Sequence, residues 1–227
     1  LRRHEETHQV MFLTTWSNSS WTLEEFAQAE DMLRSETLPT NDLCLFVSAV
    51  TLSLMECFDE RKVNWLLDGL RHTNPQINQR ALVGLVITLH LYPSRIALYP
   101  ELEARISLFR EDPNFSKQVN RIYIQLLRSQ ETEKIDRKMR EEIIPEMMKN
   151  PKLNLEGLDE DAEDHNPEWE EWIDRSGITD KLRELGELQM SGADVYMSTF
   201  SQLKQFPFFR KISHWFYPFD PQYQDIA

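Results

Sequence analysis

From Asn41 to Lys149 the chain repeats one pattern, a segment apolar almost all round followed by a segment apolar on one side. Asn41 to Phe58 reads NDLCLFVSAVTLSLMECF and has too few polar positions for a solvent face, which predicts a helix covered by several neighbours. Asp59 can then cap the next helix, because its carboxylate accepts a free backbone N–H. That helix carries Val63, Leu66, Leu67 and Leu70, the i, i+3, i+4, i+7 stripe of a one-sided helix. Asn74-Pro75 restarts the pattern, since Pro at the first helical position gives up only an N–H that would be unpaired anyway. Pro75 to Leu91 is again apolar on most sides, and its partner carries Leu98, Leu102 and Ile106. Asp112-Pro113 restarts once more, leading to Val119, Ile122 and Leu126 and then to Met139, Ile143 and Met147.

The pattern aligns loosely with itself. Asn41-Asp42 falls 34 residues before Pro75-Gln76, Phe58-Asp59 falls 34 before Tyr92-Pro93, and Pro75 lies 38 before Pro113. Paired-helix repeats have periods of roughly 34 to 47 residues. Residues 41–150 therefore resemble HEAT-like or tetratricopeptide-like arrays, with the HEAT-like form favoured because tetratricopeptide signature residues are missing. The resemblance implies an all-α protein of stacked helical hairpins in a short right-handed array. The alternative is an irregular helical bundle. Residues 1–40 read as lead-in helices: Thr22-x-x-Glu25 is a capping box, and Leu23, Phe26, Met32 and Leu33 give the following helix its apolar side. Trp16 and Trp21 flank the loop NSS and are expected to plug it against the first helices.

Past Lys149 the composition changes. Residues 151–165 are acidic and read as a solvated linker, and residues 166–227 form an aromatic-rich helical extension packing on the array or on a following domain. The tract FPFFRKISHWFYPFDPQY concentrates Phe206, Phe208, Phe209, Trp215, Phe216, Tyr217, Phe219 and Tyr223. Asn166 to Pro221 resembles a block of uncharacterised bacterial helical-repeat proteins. That likeness implies the middle of a larger repeat protein and transfers no functional residues. Aromatics at this density either seal a helical stack or serve a partner, because each buries a large apolar area while Trp and Tyr tolerate a wet edge. Phe209, Trp215, Phe216 and Tyr217 are the candidate partner-binding residues.

Charge narrows the partner class. Ten of the 38 acidic residues fall between Leu153 and Asp174, with no Lys or Arg among them, so most of the net charge of −13 belongs to that segment. A chain without a basic stripe is a poor ligand for nucleic-acid phosphates. No uncharged apolar run reaches the length of a membrane span. Cys44 and Cys57 share one predicted helix, too far apart for a disulfide, and read as buried thiols suited to a reducing, cytoplasmic setting. Because the chain starts at Leu1, it is expected to be a fragment of a longer protein.

Candidate chemistry is sparse. His4-Glu5-Glu6-Thr7-His8 matches H-E-x-x-H, in which two His bind zinc and the Glu is a general base. A second Glu where such sites need an apolar residue, and the flanking Arg2 and Arg3, instead predict a solvated helix start. Asp159, Asp161, Glu163 and Glu170 have the spacing of a calcium loop, but Asp164 stands where the turn requires Gly. His72 and His214 are expected near helix ends, where a cation meets the C-terminal dipole favourably, and His90 in an apolar helix. No nucleophile elbow or phosphate loop is present. The reading is a non-catalytic protein-interaction or scaffold module without a cofactor, whose partner is a protein or peptide. Its rivals are a zinc metallopeptidase at His4, Glu5 and His8, and a purely structural spacer. The inner face of the array is expected to present Asn64, Asp68 and Arg105.

Overall fold

A computed structural model describes residues 2–138, 140–141, 145, 183, 186–187 and 207–217. Every regular element among them is helical: α1 (Arg2–Ser17), α2 (Leu23–Arg34), α3 (Thr40–Glu56), α4 (Glu60–Gly69), α5 (Pro75–Leu91), α6 (Pro93–Ile96), α7 (Pro100–Arg110) and α8 (Pro113–Lys138), followed by 3₁₀ turns at Pro207–Arg210 and Ile212–Phe216. The chain forms two compact units, residues 1–122 with 205–227, and residues 123–204. The acidic segment 151–165, the calcium-loop positions, Met139, Ile143 and Met147, and most of the block from Asn166 lie outside the described residues.

The helix starts follow from their side chains. Thr22 Oγ1 accepts the Glu25 N–H while the Glu25 carboxylate accepts the Thr22 N–H, the reciprocal box that satisfies two orphan donors. These bonds hold the Glu25 carboxyl below its usual pKa. Asp59 accepts the Arg61 N–H at α4, and Asn74 accepts the Gln76 N–H at α5, where Pro75 is the first helical residue. Asn74 also donates from Nδ2 to Thr40 Oγ1 at 3.1 Å, tying the start of α5 to the start of α3.

Within the first unit the helices pack in two sets. α1 lies on α3 and α3 on α5; α2 lies on α4 and α4 on α7; α4 also packs across on α5 and α3. Paired positions in the first set are separated by a nearly constant interval. His8 meets Asp42 and Thr40 meets Asn74, each 34 residues apart, and Ser48 meets Arg80 at 32. Successive pairs advance together along α3 and α5, so these two helices run parallel. In the second set the Trp65 indole N–H donates to Ala29 O at 2.8 Å, 36 residues away, and Arg105 reaches Asp68 across 37.

The core sits between the sets. Trp65 is fully buried and meets Phe46 and Trp21 edge-on, with ring centroids 5.2 and 6.0 Å apart. Trp21 plugs its loop as expected: its N–H donates to Asp59 Oδ2 at 2.6 Å, and its carbonyl accepts from Arg61. Lys62 is completely buried and donates to Asn18 O and to Ser53 Oγ, with its ammonium over the Trp21 ring. Burial pushes its pKa down. Ser53 Oγ itself donates to Asn18 O, so the pair fastens the loop to α3 and α4.

Three sequence expectations are corrected. Leu23 is exposed, because it is the first residue of α2 and precedes the buried stripe. Leu98 is exposed because it falls in the turn before Pro100, whereas Leu102 and Ile106 are buried in α7. Cys44 is buried, but Cys57 ends α3 in extended backbone and is exposed.

Small residues let α5 approach both neighbours. A Cβ on Gly84 would stand 2.3 Å from Thr51 Oγ1 and 3.3 Å from Leu66 Cδ1; one on Gly69 would meet the Ala81 Cβ at 3.0 Å. Gly84→Ala gains about 1 kcal/mol of helix propensity but overpacks two interfaces at about 1–3 kcal/mol. A net loss of about 1 kcal/mol is expected in denaturant titration, and a larger one for Gly84→Val.

Candidate functional site

The aromatic segment Pro207–Tyr217, here the strap, is first organised by its own backbone. The His214 Nδ1–H donates to Phe208 O at 2.7 Å, and the Trp215 indole N–H donates to Phe209 O at 2.9 Å. The Phe208 and His214 rings lie 4.3 Å apart, and Phe209 and Trp215 lie 4.8 Å apart. Two consecutive 3₁₀ turns thereby present Phe208, Phe216 and Tyr217 to α1 and α3.

The strap fills the groove between α1 and α3. Phe216 sits 5.3 Å from Phe12, and Tyr217 is buried with Phe12, Leu45 and Ala49. One buried polar contact fixes the register. The Tyr217 hydroxyl stands 2.6 Å from His8 Nδ1, and the His8 Nε2–H donates to Asp42 Oδ1 at 2.8 Å. Lys211 adds an outer ion pair with Glu5 at 3.5 Å, worth little because both groups are wet.

This corrects the solvated reading of the first turn at His8, which is 3% exposed. Its face of α1 is covered by α3 and by a segment more than 200 residues later, a contact no local pattern announces. With both ring nitrogens engaged, His8 has none to offer zinc. Among the described residues no group of three or more His, Cys, Asp or Glu could hold a metal ion, and no helix is long and apolar enough to cross a membrane. The His4 side chain lies outside the described residues.

The four aromatic candidates divide. Tyr217 is buried by its own chain, while Phe209, Trp215 and Phe216 are half-buried. His214 was expected as a cation at a helix end. Instead, burial holds its pKa below the usual histidine value, and the neutral ring donates to Phe208 O. His72 Nδ1 accepts the Asn74 N–H at 3.0 Å. Asn64, Asp68 and Arg105 do come together. The Arg105 guanidinium spans Asn64 Oδ1 and Asp68 Oδ1 at 2.5 Å each, joining α4 to α7. Asp68 also lines a mixed-charge cleft of about 630 Å³ with Arg34, Arg71 and His72.

Beside the strap lies an open groove of about 590 Å³ between α3 and α5. Leu52 and Met55 line it from α3, Val83 and Ile87 from α5, and Phe216 of the strap also lines it. Met55 and Val83 are exposed. Its polar fittings are Thr51, Gln76, Gln79 and Arg80, with the Arg80 guanidinium donating to Ser48 Oγ at 3.0 Å. These positions escape sequence reasoning because they belong to two helices that read as core throughout. An apolar trough with a few polar groups suits binding of a side-chain row better than bond chemistry.

No known family, curated protein or solved structure matches the chain.

Two outcomes are expected. Tyr217→Phe removes the hydroxyl from His8 and weakens strap docking by about 1–2 kcal/mol, read as faster hydrogen exchange of residues 207–217 with α3 unchanged. For His214 the folded pKa lies below the unfolded one, near 6.5. The unfolded segment therefore binds more protons between the two values, so docking is strongest above pH 6.5 and is lost as pH falls through the folded value. His8, Asp42, Glu5 and Lys211 face the same site, so the His214 share is isolated by His214→Gln. Protection of residues 207–217, corrected for the intrinsic pH dependence of amide exchange, falls less between pH 7.5 and 5.0 in that variant than in the wild type.

Proposed function

We propose that this chain is a non-catalytic protein-interaction module, a short helical-repeat array whose α3–α5 groove receives a segment of a partner protein. The observation that carries this reading is the groove itself: an open, apolar trough between two parallel helices, with exposed Met55 and Val83 on opposite walls. Helices of one class pack side by side at an interval of 32 to 34 residues, and those of the other at 36 to 41. This supports a repeat arrangement, in which each neighbouring pair of helices leaves a groove of similar form. Grooves of this kind take an extended or helical segment by its row of apolar anchors. The favourable term is burial of exposed apolar surface at about 25 cal/mol per Å². The acidity of the chain supports a protein or peptide partner over nucleic acid.

A photo-crosslinking residue placed at Met55 or Val83 in the intact chain tests the reading in cells. It is expected to trap one partner reproducibly, while the same residue at exposed Leu98 does not. Adding Val83→Glu to the Met55 probe removes the adduct without altering helical content. Equal trapping at all three positions, or none, overturns the proposal.

A further inference from the structure

The hydroxyl of Ser213 is buried in the strap and has no hydrogen-bond partner among the described residues. The residue is 0% exposed and sits between Ile212 and His214 in the second 3₁₀ turn. A hydroxyl shut away from water without a partner destabilises the docked form, and alanine would fill the same place without that cost. Docking therefore gives no reason for a serine here. The residues before it do. Arg210-Lys211-Ile212-Ser213 places cations three and two positions ahead of the hydroxyl, and no other Ser or Thr of the chain has Lys or Arg at both positions. Serine kinases that select basic substrates read such a pair with carboxylates of their peptide groove. In the docked strap Arg210 and Ile212 are exposed and Lys211 is half-buried, so the recognition residues are on the surface while the acceptor is inside.

We propose that Ser213 is a phosphorylation site for a basic-directed serine kinase, and that its modification releases the strap from α1 and α3. The inference goes beyond the interaction reading and holds whether or not a partner occupies the α3–α5 groove. Ser213 Oγ attacks the γ-phosphorus of ATP. The Oγ–P bond forms as the bond from that phosphorus to the bridging oxygen breaks, ADP leaves with the electron pair, and the hydroxyl proton passes to the kinase's catalytic carboxylate. A kinase takes its substrate extended, so the step proceeds from the undocked strap. The attachments that must open are few: the Tyr217 hydroxyl on His8, three rings against Phe12, Leu45 and Ala49, and the wet Lys211–Glu5 pair. A segment held this way opens locally while the helices beneath it stay folded. The product does not return to its place. A phosphoserine carries a charge of about −1.5 to −2 at neutral pH, and a buried site next to carboxylates opposes it by desolvation and by repulsion. Glu5 and Asp42 stand on the two helices that the strap covers. In the released strap Arg210 and Lys211 can pair with the phosphate instead.

The test treats the intact protein with Mg·ATP and the catalytic subunit of cyclic-AMP-dependent protein kinase, which selects basic residues at these two positions, and locates phosphate by mass spectrometry. Phosphate is expected at Ser213. Tyr217→Phe takes it up about fivefold faster or more, because looser docking raises the open fraction. Arg210→Ala slows uptake about tenfold, through the lost charged contact to the kinase. In the phosphorylated protein the protection of residues 207–217 against hydrogen exchange falls about tenfold or more, with α3 unchanged. Ser213→Ala keeps the wild-type protection or exceeds it. A peptide of residues Gln205–Phe219, whose sole Ser or Thr is Ser213, separates the ways the proposal can fail. If the peptide is not phosphorylated, the basic pair does not make a substrate. If the peptide is phosphorylated but neither the intact protein nor Tyr217→Phe is, the strap does not open. Phosphate at Ser213 with unchanged protection removes the release, and lost protection in Ser213→Ala gives the hydroxyl a structural role. Each of these four results overturns the inference.

Discussion

A helical stretch that is buried all round must be enclosed, and the first half of α3 imposes that constraint on the rest of the first unit. Leu43 to Val50 are buried without interruption, including Ser48, whose hydroxyl bonds the Cys44 carbonyl of its own helix. No single neighbour can cover more than part of a helical circumference. α1, α4 and α5 each take a sector, and the strap takes what remains between α1 and α3. Burial of this kind is non-directional, so it explains why α3 is surrounded but not how its neighbours are positioned. Position comes from the polar contacts at the edges. Asn74 to Thr40 sets the start of α5, His8 to Asp42 sets α1, and Tyr217 to His8 sets the strap. Each is a directional bond whose loss would leave a buried or half-buried polar group less well satisfied.

Much of this was legible in the chain and some of it was not, for physical reasons. The starts of α2, α4 and α5 were readable because capping is local: Thr22, Asp59 and Asn74 act on N–H groups two or three residues away. The all-round apolarity of α3 announced its burial. The bonds from Arg105 to Asn64 and Asp68 were not legible, because nothing in a stripe says which residue of the next helix will meet it. Leu98 misled because an apolar residue in helical spacing reads as core even when a proline two positions on moves the helix start past it. His8 misled in the opposite sense. Its neighbours Glu5, Glu6 and Thr7 are polar, and the residue that buries it lies 209 positions away. Local periodicity contains no information about a contact of that separation.

The aromatic tract shows why composition poses a question that only geometry answers. Phe, Tyr and Trp carry the same apolar area whether they seal a fold or anchor a partner. Here one segment stands near both uses. Tyr217 turns inward to His8 and is lost from the surface, while Phe216, one residue earlier, packs on Phe12 and still borders the open α3–α5 groove. A 3₁₀ turn places successive side chains about 120° apart, which sends adjacent aromatics in different directions from one short piece of backbone. Docking the strap therefore also places one residue of the neighbouring groove's lining. Phe216 and Tyr217 are adjacent in the strap, so the segment that meets His8 also lines the neighbouring groove. Charging the His214 ring is disfavoured where it packs against Phe208. A buried contact between residues 209 positions apart thus sits beside a surface formed by α3 and α5.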